Sequence, residues 1–239
     1  MTALDSSPAS ADALARILAE GYRVVDLSDE LVPGVMTADG RYRWPRTARR
    51  FEIKQWISPG GHYQHFLDAA SQVGTHVETP AHIVDGVRNP DGSPMCPADV
   101  PLETFFGEAI VINCDDAQPR EPGGRRYVEI DKFKDVRPGD IVLVWSHASG
   151  YADGPAISDE AGQYLADLPI KMIGEQHVFI PNPPHVSFLG REAGIIPIME
   201  EIKHLEDLKH DRVFFFGVPI RVQRIEASWI RAFAFEPRT

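Results

Sequence analysis

The chain has 239 residues, 43% of them hydrophobic, and a formal net charge of −11. That length buries one sizeable core, so a single domain over residues 1–239 is expected, and the acidic balance argues against nucleic acid or an anionic membrane as partner. No apolar run is long enough to span a bilayer and no signal-type segment opens the chain; the two cysteines, Cys96 and Cys114, make no disulfide framework, so a cytoplasmic protein is expected.

In chain order, the residues before Tyr22 read as an amphipathic helix, with Ser7 as cap, Pro8 in the first turn and Gly21 as stop. Tyr22 to Leu27 follows as a short apolar strand, and the Pro- and Arg-rich stretch from Pro33 to Arg50 carries no period and reads as a loop. Phe51 to Ile57 and His62 to Leu67 flank Ser58-Pro59-Gly60-Gly61, the composition of a hairpin turn. A second loop-rich stretch runs from Asp85 to Pro101. Ala109 to Asn113, Asp140 to Trp145 and Ile170 to Gly174 are apolar, buried-strand candidates. Ser158 is placed to cap a helix through Leu168, with Asp159 and Glu160 where the helix dipole favours acids. Glu200 to Leu208 reads as a helix, and Arg212 to Phe216, Ile220 to Arg224 and Trp229 to Phe235 as closing strands. Many strands with few helices predict a mixed α/β or α+β domain.

The densest chemistry lies in Gln72-Val-Gly-Thr-His76-Val-Glu78-Thr-Pro80-Ala-His82. Residues two apart share one face of a strand, so Gln72, His76, Glu78 and His82 are expected to look the same way. Imidazole and carboxylate suit zinc or manganese. In a straight strand Gln72 and His76 lie about 13 Å apart, too far to grip one ion, whereas His76 and Glu78 lie about 7 Å apart at Cα. Gly74 is where the chain can bend, and Pro80 ends the strand or marks an edge, leaving His82 beyond it as a base rather than a ligand. Spacing alone leaves two readings open: a common metal site, or ordinary surface and hydrogen-bonded side chains.

These residues resemble the signature His-x-Gly-Thr-His-x-Asp-x-Pro-x-His of the metal-dependent cyclase superfamily, which includes kynurenine formamidase and isatin hydrolase. Gly74, Thr75, His76, Pro80 and His82 match it; Gln72 stands in place of histidine and Glu78 in place of aspartate. Val25-Asp26-Leu27-Ser28, His185-Val-Ser-Phe-Leu, the segment around Glu200 and Arg231-Ala-Phe-Ala234 resemble further family segments in the same order. The resemblance implies a swivelling β/β/α-type fold with a central mixed sheet or small barrel flanked by helices. It also implies a homodimer or homotetramer, and hydrolysis of a small amide, lactam, lactone or N-formyl group by metal-activated water. Carried over by position, His76 and Glu78 would be metal ligands, with Gln72 a weaker third. His82 would handle protons, and His185 and Glu200 would complete the metal site or hold a second ion, Glu200 counting with His82 as a catalytic group. The Gln72 and Glu78 departures harden the ligand set, favour Mn2+ over Zn2+ or one ion over two, and resemble the trans-dienelactone hydrolase branch.

Other candidates are weaker. Ser146-His147 follows a strand but lacks a Gly-x-Ser-x-Gly elbow, and His177 follows the strand from Ile170. Trp44, with Trp56 and Phe66, could wall an aromatic substrate, and Ser228 stands where relatives contact substrate. Arg43, Arg46, Arg191 and Arg231 could hold a carboxylate. Two alternatives to a hydrolase stand beside it: a metal-dependent lyase or cyclase using the same ion and His82, and a non-catalytic metal- or ligand-binding homologue.

Overall fold

The computed structural model describes residues 11–36, 42–43, 49–190 and 195–238. Its frame is a nine-stranded sheet, built in chain order from β1 (Tyr22–Asp26), β2 (His76–Glu78), β3 (Phe106–Asn113), β4 (Ile141–Trp145), β5 (Met172–Gln176), β6 (Ile198–Glu200), β7 (Arg212–Phe216), β8 (Ala227–Trp229) and β9 (Phe233–Pro237). The spatial order is β1-β9-β7-β3-β4-β5-β6-β2-β8. The four central strands, β3 to β6, run parallel, and antiparallel strands extend the sheet on both sides. The mixed α/β expectation holds.

Period-two alternation divides the strands between two cores. Ile110, Ile112, Val142, Val144 and Ile173 pack on one face with Ala161, Leu165, Phe188 and Leu189. Ala109, Ile141, Leu143 and Met172 belong to the other face, with Val77, Met199 and Phe215. Strands buried on both faces read as continuous apolar runs, which is why β3 and β4 were visible in the sequence.

Helix α1 (Ala11–Glu20) ends at Gly21, whose φ of +80° stops it; the proposed cap Ser7 and Pro8 lie outside the described residues. Helix α2 (Asp159–Asp167) is capped as expected, the Ser158 side chain accepting from the Ala161 N–H at 3.2 Å. Helix α3 (Asn182–Leu189) escaped the sequence reading because Pro183 and Pro184 stand in it. Both fall in its first turn, where no intrahelical N–H is required. A Cβ on Gly162 of α2 would come within 2.5 Å of Pro184, so the missing side chain lets α3 lie directly on α2. That close approach sets the position of His185, the next residue.

Three expected elements differ. Glu200 to Leu208 is not a helix: β6 ends at Glu200, Glu201 and His204 take φ of +58° and +62°, and only a 3-10 turn, Leu205–Asp207, remains. Buried hydrogen bonds override helix propensity there, since the Glu201 and Leu205 N–H groups donate to the Glu175 and Gln176 side chains at 3.0 and 2.8 Å. Ile220 to Arg224 forms no strand, and Arg224 has a φ of +63°. The run from Trp229 to Phe235 is broken between β8 and β9. The predicted hairpin is present as Phe51–Ile57 paired with Tyr63–Ala69, and the loop from Pro33 to Arg50 contains a short strand pair, Val35–Met36 with Tyr42–Arg43. No helix among the described residues is long and apolar enough to cross a membrane.

Candidate metal centre

The site begins with a bend. Gly74 has a φ of +65°, a conformation that L side chains avoid, and the chain turns there into β2. Only His76 and Glu78 of the motif share that strand. Gln72 precedes the bend, and His82 lies in a 3-10 turn, Pro80–His82, so the single extended face expected from spacing is not formed. The antiparallel register with β6 then sets Glu200 opposite His76. Directly opposed residues share a face, and here it is the face that α3 covers, so His185 reaches the same point from the helix.

Glu78 is the hub. Its Oε2 lies 2.9 Å from His185 Nε2, and its Oε1 lies 3.6 Å from His82 Nε2 and 3.7 Å from His76 Nε2. Glu200 Oε2 is 3.6 Å from His76 Nε2. Two triads result, His76–Glu78–Glu200 and Glu78–His82–His185, each offering ligand atoms within 4.8 Å of one another. The His76 ring decides what the first triad fits. Nδ1 donates to the Gly74 carbonyl at 2.7 Å, so Nε2 carries the lone pair, and it is buried with no hydrogen-bond partner among the described residues. A bare buried acceptor is costly. Distances of 3.6 and 3.7 Å to carboxylate oxygens are too long for hydrogen bonds but near the roughly 3.4 Å that separates two ligands of one tetrahedral ion at about 2.1 Å each. The donor set fits a divalent cation.

A family profile described as "Putative cyclase" matches residues 25–178, more than half of the chain. The chain belongs to this cyclase family. A search of curated proteins found no match. Among solved structures, isatin hydrolase A from Labrenzia aggregata bound to benzyl benzoate superposes with a TM-score of 0.69 at 20% identity, over 94% of this chain and 98% of that one. Isatin hydrolase A from Ralstonia solanacearum gives 0.68 at 20% identity, over 98% and 100%. A predicted metal-dependent hydrolase from Bacillus stearothermophilus gives 0.64 at 18% identity, over 90% and 98%. At these identities the likeness concerns the fold.

The cyclase-family cluster sets the charge states of its members. Burial pushes the Glu78 carboxyl upward, but the His185 hydrogen bond, the nearby His76 ring and the charge of His82 outweigh it and bring it down to about 2. Glu200 is raised, first by burial and then by the Glu78 charge, with His76 opposing. His185 is raised: burial works against its charge, yet the hydrogen bond and charge of Glu78 prevail. His82 is lowered, mainly by burial, against the attraction of Glu78. One carboxylate is therefore held ionised beside a second that retains its proton more readily.

The structure brings His76, Glu78, His82, His185 and Glu200 together. Gln72 stands behind His82: its side-chain nitrogen is 2.9 Å from His82 Nδ1, and its side-chain oxygen accepts from Arg49. Ser228 is opposite Val77, on the other face of β2, where its hydroxyl accepts from the Ile220 N–H at 3.1 Å; the structure does not bring it to the cluster. Trp44 lies outside the described residues, as do Arg46 and Arg191. Trp56 and Phe66 stack at 6.2 Å on the exposed hairpin, and Arg231 pairs with Asp26. Ser146 Oγ donates to the His177 carbonyl at 3.0 Å, while His147 meets Asp115 at 2.6 Å, so neither serine nor histidine is set up as a nucleophile pair.

The sequence reading missed two groups. Arg49 sits in the aperiodic loop and carries no local signal. Glu175 lies one strand behind Glu200, fully buried, and accepts from the Tyr151 hydroxyl and from the Glu201 N–H. A carboxylate inside the apolar run of β5 was the available signal, since acids are almost never fully buried without partners.

Proposed function

We propose that this protein is a divalent-metal-dependent hydrolase that opens or cleaves a small amide, lactam, lactone or N-formyl substrate. The observation that carries the reading is the buried His76 Nε2, without a hydrogen-bond partner among the described residues and placed 3.7 Å from Glu78 Oε1 and 3.6 Å from Glu200 Oε2. The isatin hydrolases that share the fold support hydrolysis. His76, Glu78 and Glu200 would hold the ion, and two carboxylates per imidazole suit zinc or, being harder, manganese. When bound, such an ion acidifies water and polarises a carbonyl.

The chain's own groups supply the rest. Glu78 stays anionic across the physiological range and anchors His185. Glu200 Oε2, 3.6 Å from His76 Nε2, would supply the ion's second carboxylate oxygen. His82 is the most exposed of the three site histidines, at 29% of its side chain, and faces an adjoining cavity of about 260 Å³ lined by Ile83, Val87 and Arg88. That volume limits the occupant to a small molecule, and His82 and Arg88 are the polar side chains it would meet. The exposed apolar hairpin residues Ile53, Ile57, Tyr63 and Leu67 support a homodimer or homotetramer, and two unpaired, buried cysteines support a reducing, cytoplasmic setting.

Metal analysis of the purified protein, followed by hydrolysis assays on isatin, N-formylkynurenine and dienelactone with and without chelator, tests the reading. Chelator-sensitive turnover that zinc or manganese restores is expected. Bound metal with no turnover on a broad ester and amide panel would favour the non-catalytic homologue, and loss of water from a substrate would favour the lyase.

A further inference from the structure

His76 and His82 face the same carboxylate, but their far nitrogens meet opposite partners. In His76, Nδ1 meets a carbonyl, the Gly74 oxygen at 2.7 Å, which can only accept. Nδ1 must carry the hydrogen, and Nε2 is left as a lone pair for the ion. In His82, Nδ1 meets the Gln72 carboxamide, the side-chain nitrogen lying 2.9 Å away. Which end of that carboxamide faces His82 follows from its other neighbour. The Arg49 guanidinium donates both to the Gln72 side-chain oxygen and, at 3.0 Å, to the Gln72 backbone carbonyl. A guanidinium has no acceptor, so it selects the oxygen end. The NH2 end is thereby turned toward His82, and because NH2 only donates, Nδ1 must be the acceptor.

We propose that Gln72, held by Arg49, is a positioning residue that keeps His82 as the Nε2–H tautomer, so that His82 presents a hydrogen-bond donor to the site instead of a metal-ligating or proton-accepting lone pair. The position at which the family signature has histidine then serves this chain as a lock on His82. With His82 Nε2 protonated, and His185 Nε2 donating to Glu78 Oε2 at 2.9 Å, neither imidazole of the triad Glu78–His82–His185 offers an ion a lone pair, and the ligand set contracts to His76, Glu78 and Glu200. A neutral imidazole N–H suits a carbonyl oxygen that gains negative charge as its carbon is attacked. That catalytic consequence rests on the hydrolase reading; the tautomer assignment does not.

The test is a long-range 1H–15N correlation spectrum of full-length protein carrying 15N-histidine, loaded with diamagnetic zinc and also without added zinc, at a pH above the histidine range. The His82 signal is identified by its loss in His82→Asn. The expected spectrum has an unprotonated Nδ1 and a protonated Nε2. In Gln72→Glu the carboxylate accepts from both Arg49 and Nδ1–H, so the tautomer should reverse, with kcat falling about 10-fold or more at little-changed KM and zinc content unchanged. A proton on Nδ1 in the unsubstituted protein, or a tautomer that Gln72→Glu leaves in place, overturns the proposal. Loss of zinc from Gln72→Ala would overturn it too, by making Gln72 a ligand. If no substrate is turned over, the hydrolase reading falls while the spectra still decide the tautomer, so the two failures are distinct.

Discussion

Gly74→Ala tests whether the bend before β2 builds the metal centre. At a φ of +65° an L residue costs about 1–2 kcal/mol relative to glycine. The added methyl would also overlap Leu31 Cδ2, and overpacking of this kind costs about 1–3 kcal/mol. Leu31 is only half-buried and can swing aside, which places the total near the lower end, about 2–3 kcal/mol. The same peptide carries the carbonyl that accepts from His76 Nδ1 at 2.7 Å. Tilting it loosens the ring whose Nε2 faces the ion, and loss of such a supporting contact typically weakens metal affinity by about 10- to 100-fold. Urea unfolding of the metal-free variant reads the first effect, and zinc titration against a competing chelator reads the second. A variant within about 0.5 kcal/mol of the parent that binds zinc equally well would refute the link from backbone bend to ligand orientation.

His76→Ala should abolish metal retention through gel filtration, whereas His82→Ala should retain the metal and lose turnover; metal analysis beside kinetics separates the two, and normal activity in both variants would end the hydrolase reading. Burial pushes the Glu175 carboxyl up to about 8, against the Tyr151 hydrogen bond and with the help of the Glu200 charge. Because this folded-state value lies above the unfolded one, the group's contribution to stability is complete below about pH 4.5 and is lost as pH rises toward 8. Denaturant midpoints across that window should therefore decline, and the decline should flatten in Glu175→Gln. Ser158→Ala removes the cap that accepts from the Ala161 N–H at 3.2 Å and should lower stability by about 1 kcal/mol. Thermal melts would show it, with metal content unchanged.

Local chemistry made part of the site legible. The spacing of His76 and Glu78, the bend at Gly74 and the stop at Pro80 depend on residues within one turn or strand, where backbone sterics act without help from the rest of the molecule. The apolar runs of β3 and β4 and the cap at Ser158 are of the same kind. The errors lay where long-range hydrogen bonds overrode propensity. Residues Glu200 to Leu208 have helical composition, yet Glu175 and Gln176 take the backbone N–H groups of Glu201 and Leu205 and hold the segment open.

Which residues could share one ion was decided only in three dimensions. Glu200 stands beside His76 because β6 and β2, far apart in the chain, pair in one antiparallel register, and a shift by one residue would have turned it to the other face. His185 arrives because Gly162 lets α3 settle on α2. Arg49 turns the Gln72 carboxamide from a loop without any periodic signal. The sequence determined the donor groups and the flexible point between them, since both are properties of single residues and their near neighbours. The tertiary structure decided their convergence and the placement of their protons, because a hydrogen bond's direction depends on the partner that packing brings to the other end.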